Sequence, residues 1–213
     1  MQLLLMRHWE PLLPSGPKRY IGQTDYPLSP AGLKQAGNGG TCISHTYGNI
    51  SHIYSSPLLR CASGAKILSG QLDCPLTFLD ELKEIHLGVW ETLPFEEVKK
   101  NFPLAYEARG KHMDTFVIPG GESFVQVQRR ALTAVRNIIA AERPAAPDRD
   151  TWGHNARNMD TVLLITHAGV IRTLLCYLDS CPLSELFRYQ VHYGEITSVE
   201  SEDLLRQDIS PRL

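Results

Sequence analysis

The chain has 213 residues, with 21 Lys and Arg against 23 Asp and Glu and a formal net charge of −2. That length suits one domain of ordinary size, and the near-neutral balance excludes a surface built to grasp nucleic acid or an acidic membrane. Hydrophobic residues at 43% and charged residues at 21% exclude a long disordered or fibrous chain.

The amino-terminal run Met1 to Met6 is too short for a signal sequence or a membrane span, and it ends at Arg7-His8. Its continuous apolar stretch, Leu3 to Met6, predicts a strand buried on both faces of a parallel sheet. A Pro- and Gly-rich loop follows from Pro11 to Pro27. Ser29-Pro30 then reads as an N-cap and first helical residue, opening a helix that fades around Gly37 to Gly40 or shortly after. His52 to Ser55 is a second strand. Ser56-Pro57 repeats the helix-start signal and puts Arg60 in a first helical turn. Leu76 to Leu79 is a third strand, feeding the acidic segment Asp80 to Glu91.

Apolar residues at helical spacing from Phe124 to Ile138 predict a helix over Ser123 to Ala141. Residues 143–160 read as a long, flexible surface connection, Val162 to Thr166 as a buried strand, and Val170 to Leu178 as the helix behind it. Ile196 to Val199 is a last strand candidate. Alternating strands and helices of this kind predict an α/β sandwich, with helices on both faces of a mostly parallel sheet. A single domain over residues 1–213 is expected, with an insert or lid candidate at 92–121.

The chemistry concentrates where strands end, the edge at which open parallel sheets bind ligands. His8 follows the first strand and His167 the most apolar one; Arg7 and Arg60 lie at comparable ends. If these strands are neighbours, two imidazoles and two guanidiniums converge on a pocket suited to a phosphate. Arginine binds its oxygens in a planar fork, and a neutral imidazole is a competent nucleophile toward phosphorus. Backbone N–H groups at the Thr166-His167-Ala168-Gly169 helix start would add to the anion site. Glu84, in the loop after the third strand, is a candidate proton donor to a leaving alkoxide. Taken singly, each residue also has a bland reading: a structural histidine, a salt-bridged arginine, an exposed loop carboxylate. No G-x-G-x-x-G turn follows the first strand, which argues against dinucleotide binding. The five cysteines are odd in number and without a C-x-x-C pair, which points to reduced thiols and a cytoplasmic protein. The eight histidines show no zinc-ligand spacing, so no metal is expected.

Six segments, in order, resemble the histidine phosphatase superfamily, in its phosphoglycerate mutase-like branch. They are Leu5 to His8, Tyr20 to Gly32, Ser55 to Arg60, Glu84 to Glu91, Pro119 to Ser123, and Thr166 to Arg172. The resemblance implies a three-layer α/β/α fold and a phosphohistidine intermediate without metal or organic cofactor. By position, His8 would be the nucleophile, Arg7, Arg60 and His167 would hold the phosphoryl group, and Glu84 would be the acid and base. Gly22, Gln23 and Ala168 would lie by the substrate. The wording of Tyr20 to Gly32, Thr166 to Arg172 and Val191 to Thr197 is most similar to alpha-ribazole 5′-phosphate phosphatases of cobalamin assembly.

Trp9 departs from the family, which has glycine after the nucleophilic histidine. It would narrow the pocket, stack on an aromatic substrate, mark a degraded site, or simply pack against the loop from Pro11 to Pro17. The expected function is hydrolysis of a small phosphorylated metabolite by a monomer or homodimer. Phosphoglycerate mutase is disfavoured because the insert, Arg109 to Phe116, lacks that enzyme's arginine pair. A non-catalytic phosphate-binding protein is the third reading, motivated by Trp9.

Overall fold

The computed structural model describes residues 1–143 and 161–205. Four parallel strands, β1 (Gln2–Arg7), β2 (Ile50–Ser55), β3 (Leu76–Phe78) and β4 (Thr161–Thr166), form its centre. A fifth, β5 (Ile196–Glu200), runs antiparallel beside β1, giving the order β3-β2-β4-β1-β5. This is the mostly parallel α/β sheet expected. The connection expected at 143–160 lies, from residue 144 on, outside the described residues.

Side-chain alternation along β1 and β4 builds two cores, because successive residues of a strand point to opposite faces. Leu3, Leu5, Val162 and Leu164 join Val127, Val135 and Ile138 of α5 (Phe124–Glu142) and Val170, Ile171 and Leu174 of α6 (Ala168–Leu178). Leu4, Met6, Leu163 and Ile165 join Ala36 and Ile43 of α1 (Pro30–Tyr47) and Ala65 and Leu68 of α2 (Leu59–Leu72). Two short helices, α3 (Phe95–Asn101) and α4 (Pro103–Lys111), occupy the insert, and α7 (Ser201–Leu205) follows β5. Hydrogen bonds between Tyr20 and the Thr92-Leu93 pair, and from Phe95 to Lys18, fasten the insert's start to the first loop. Among the described residues no helix is long and apolar enough to cross a membrane.

Local signals set most helix ends. Ser29 caps α1 by accepting from Gly32 N–H at 3.0 Å, and Ser123 caps α5 in a reciprocal box with Gln126. Helix α2 starts later than Ser56-Pro57 suggests: Leu58 is the cap residue, and the Asp25 carboxylate accepts the Leu59 N–H at 2.6 Å. Helix α1 runs on to Tyr47, through the glycines expected to end it. Its glycine face is in close contact with α2, where Gln71 accepts from Gly40 N–H at 3.0 Å and donates to the Gly37 carbonyl at 2.6 Å. Tertiary contact outweighs glycine's helix penalty of about 1 kcal/mol.

Trp9 explains three of the small residues, Gly39, Gly64 and Gly194, where an added Cβ would lie within 3.0 Å of its ring. Its side chain is 5% exposed and belongs to the core beneath α1 and α2. A Cβ at Gly64 would collide with its Cζ3, and one at Gly39 would sit 3.0 Å from its Cζ2. The indole therefore fills a slot floored by glycine, turned into the protein. This corrects the expectation that Trp9 faces the substrate, and no stacking on an aromatic ligand is open to it.

Gly64→Ala tests that slot. In an unobstructed helix interior the change adds about 1 kcal/mol of stability. Here it is expected to cost about 1–3 kcal/mol by overpacking, read from the urea midpoint. The sign should reverse in a Trp9→Ala background; stabilisation of the otherwise unaltered protein would contradict the packing.

Candidate active site

The β1–β4 register pairs Arg7 with Thr166, so the next residues, His8 and His167, emerge side by side at the carboxyl edge. Their ring centroids are 5.2 Å apart, edge to face, and the His8 N–H donates to the Thr166 carbonyl at 3.0 Å. Arg60, in the first turn of α2, reaches the same place from β2. All three are at least 95% buried.

His8 has its tautomer fixed by its neighbour's backbone. Nδ1 lies 2.6 Å from the Trp9 carbonyl, which can only accept, so the proton is on Nδ1 and Nε2 carries a lone pair. Burial, then the Arg60 charge, lowers the His8 pKa to about 3, against the Trp9 hydrogen bond and with Arg7 adding to the lowering. Burial and Arg60 likewise keep His167 neutral, its pKa lying well below the ordinary value.

Arg60 is held without a carboxylate. It donates through Nη2 to the Gly22 carbonyl at 2.6 Å, through Nη1 to the Thr24 carbonyl at 2.9 Å, and through Nε to His167 Nδ1 at 3.3 Å. His167 Nδ1 is thus an acceptor, and its Nε2–H faces Ser56 Oγ at 2.9 Å and Cys61 Sγ at 3.4 Å. Both ring nitrogens are engaged, so His167 here orients Arg60 rather than presenting a free N–H. Arg7 donates through Nη1 to the Val191 carbonyl at 2.7 Å and lies over the Tyr193 ring at 3.8 Å; its Nε is buried without a partner. The Ala168 N–H, at the start of α6, also has no acceptor among the described residues.

Glu84 joins the group from the β3 side. Its Oε1 accepts from Ile85 N–H at 2.9 Å and its Oε2 from Gly169 N–H at 3.1 Å, which docks the carboxylate against the first turn of α6. The first-turn N–H of Gly169 is therefore taken by Glu84 and is not open to an anion. Gln23 Nε2 and Arg130 Nη2 fix the Glu84 carbonyl at 2.9 and 3.1 Å, and Arg130 is itself paired with Glu122 at 2.7 Å.

Gly22 and Gln23, expected beside the substrate, are scaffolding in this arrangement. Their N–H groups and that of Thr24 donate to the Glu91 carboxylate, as do the Thr24 hydroxyl and Leu87 N–H, all at 2.7–3.2 Å. Burial opposes ionisation of Glu91, but the Thr24 hydroxyl and the Leu87, Gln23 and Gly22 N–H groups outweigh it and hold the pKa low. A side chain at position 22 would strike Glu91 and the Ile85 carbonyl. Sequence reasoning missed Glu91, Arg130, Ser56 and Tyr193. The signal for Glu91 was an acidic residue closing a quoted segment that has to meet the Gly22-Gln23-Thr24 turn.

The arrangement can bind and transfer a tetrahedral anion. It offers an imidazole lone pair, a buried unpaired guanidinium N–H, a second guanidinium without a carboxylate, and a carboxyl group nearby. Among the described residues no cluster of three or more His, Cys, Asp or Glu could hold a metal ion.

Fold and edge together define a phosphoglycerate mutase-like α/β protein. The chain belongs to the histidine phosphatase superfamily (branch 1), whose family model matches residues 3–204. It is similar to the metal-independent phosphoserine phosphatase of Arabidopsis thaliana, 29% identical over 178 residues, covering 81% of this chain and 66% of that relative. Mycobacterial glucosyl-3-phosphoglycerate phosphatase superposes with a TM-score of 0.75 at 26% identity, covering 92% of this chain and 88% of that one. The alpha-ribazole phosphatase of Shigella flexneri superposes at 0.74 over 94% and 90%, at 21% identity, a likeness of fold.

Both histidines stay neutral in the folded state, whereas the unfolded chain takes up their protons near the ordinary value of 6.5. Stability should therefore fall as pH drops below 6.5, toward about 3 for His8. Neither ring should titrate by NMR between pH 5 and 8; a midpoint there for either one contradicts the burial argument. Glu91 adds stability above the ordinary carboxylate value of 4.5 and loses it as pH falls through its lower folded value. Glu91→Gln is expected to cost about 1–3 kcal/mol at pH 7, shrinking in acid, as donors lose their charged acceptor.

Proposed function

We propose that the protein is a phosphomonoesterase that hydrolyses a small phosphorylated metabolite through a phosphohistidine on His8. The state of His8 carries this reading: a neutral ring whose Nδ1–H is fixed on a carbonyl leaves Nε2 as a nucleophile without a general base. Arg7 and Arg60 supply positive charge to the phosphoryl oxygens, with Ala168 N–H beside them, and His167 holds Arg60 in line. Glu84 protonates the leaving alkoxide, then takes a proton from the water that attacks the phosphohistidine.

Hydrolysis is favoured over mutase chemistry by the insert. Arg109, in the stretch where an arginine pair would be needed, is buried with its guanidinium 5.9 Å from the Trp90 ring and 5.5 Å from Phe124. Trp9 in the core removes the reason for the non-catalytic reading. Alpha-ribazole 5′-phosphate stays the specific substrate put forward, on the wording of the quoted segments; the aromatic-stacking argument for it falls with Trp9. A cytoplasmic monomer or homodimer fits the five free thiols, and no nucleic acid or membrane partner is invoked.

A phosphomonoester panel including alpha-ribazole phosphate, phosphoserine and both phosphoglycerates, with acid-labile phosphoenzyme trapping, tests the reading. His8→Ala should abolish turnover and the trapped phosphoryl group; retained hydrolysis would falsify the nucleophile assignment. Arg60→Ala should lower kcat by about 10²–10³, comparable to losing an oxyanion donor. Glu84→Gln should slow alkyl phosphates far more than nitrophenyl phosphate, and equal losses argue against proton donation. EDTA is expected to leave the rate unchanged, whereas a loss restored by a divalent cation overturns the metal-free mechanism.

A further inference from the structure

The cysteines look scattered in sequence, but the fold brings two of them together away from the phosphate site. Helix α6 ends in a left-handed turn: Asp179 is the cap, Ser180 has φ +52°, and Cys181 N–H returns to the Cys176 carbonyl at 2.9 Å. Ser180 N–H also returns to the Tyr177 carbonyl at 3.2 Å. This six-to-one closure is the Schellman motif, whose geometry puts the side chains of its first and last residues in contact. Standard bond lengths and that one hydrogen bond limit the Cα separation of Cys176 and Cys181 to about 6.8 Å, within disulfide range. Cys181 is also among the groups that raise the Cys176 thiol pKa, after burial.

Their surroundings differ. Cys176 is buried, while Cys181 is partly exposed. Arg188 Nη1 lies 3.4 Å from Cys181 Sγ, and the thiol points to Glu185 Oε2 at 3.7 Å and to the Pro182 carbonyl at 3.6 Å. A guanidinium and a carboxylate, themselves paired at 3.4 Å, thus flank a partly exposed thiol.

We propose that Cys181 and Cys176 form a reversible dithiol–disulfide modification site, oxidised by hydrogen peroxide. The Cys181 thiolate attacks the peroxide, so an S–O bond forms as the O–O bond breaks, and the hydroxide released is protonated to water. Cys176 sulfur then attacks the Cys181 sulfenic acid; the S–S bond forms, the S–O bond breaks, and the departing hydroxide takes the Cys176 proton. Two thiols lose two electrons and two protons, and the peroxide becomes two waters. Burial pushes the Cys176 thiol up to about 12, which keeps it protonated and leaves the first oxidation to Cys181.

Cys42 is exposed and serves as an internal reference; Cys61 and Cys74 are buried. The full-length protein is treated with hydrogen peroxide at low concentration, alkylated, digested with trypsin and weighed. The peptide Thr173 to Arg188 should carry no alkyl group and weigh about 2 Da less than its unalkylated dithiol form, and dithiothreitol should restore both alkylation sites. Cys176→Ser should instead let Cys181 accumulate as a dimedone-trappable sulfenic acid. Arg188→Gln should slow oxidation about threefold or more. The proposal is overturned if Cys181 remains alkylatable at doses that oxidise Cys42, or if it proceeds to sulfinic acid while Cys176 stays free. Equal oxidation rates with and without Arg188 would remove the guanidinium from the account.

Discussion

The register between β1 and β4 is the constraint on which the site depends. Arg7 opposite Thr166 makes His8 and His167 the first residues beyond two adjacent parallel strands. A slip of one residue would exchange Leu3 and Leu5 with Leu4 and Met6 between the two cores and turn the strand-end side chains with them. The same pattern that buries both faces of the sheet therefore fixes the separation of the two imidazoles. Packing and chemistry are specified by one set of residues.

Around that pair the protein gathers positive charge without neutralising it. Arg60 is answered by the Gly22 and Thr24 carbonyls and by a histidine nitrogen, and Arg7 by the Val191 carbonyl and the Tyr193 ring. Dipoles of this kind hold a guanidinium in place while leaving its net charge for an incoming anion. The carbonyls need support of their own. Glu91 supplies it by taking the N–H groups of Gly22, Gln23 and Thr24, so one short turn meets an arginine through its oxygens and a carboxylate through its nitrogens.

The strand-end residues were legible in the sequence because a run such as Leu3 to Met6 or Val162 to Thr166 announces both a buried strand and the point where it stops. Arg7, His8, Arg60, Glu84 and His167 all follow from that logic, and the structure brings them together. What was not legible depends on contacts between distant parts of the chain. The length of α1 depends on Gln71 of α2, and the direction of the Trp9 side chain depends on the room left by Gly39 and Gly64. The engagement of both His167 nitrogens needs Ser56 and Arg60 in place together. The meeting of Cys176 and Cys181 follows from the left-handed residue that ends α6, for which Ser180 gives no glycine signal.

Trp9 has one more consequence, for how such chains vary. Besides Gly194, whose positive φ favours glycine in any case, the bulk at position 9 is accommodated by missing side chains on two separate helices, so positions 9, 39 and 64 are bound by a shared volume. A chain with glycine at position 9 would leave that volume to be filled from α1 and α2, by larger residues at positions 39 and 64. The three should change together across an alignment, as a concerted exchange of one large residue for two small ones. Such covariation would trace the wall behind the strand-end histidine in relatives whose structures are unknown.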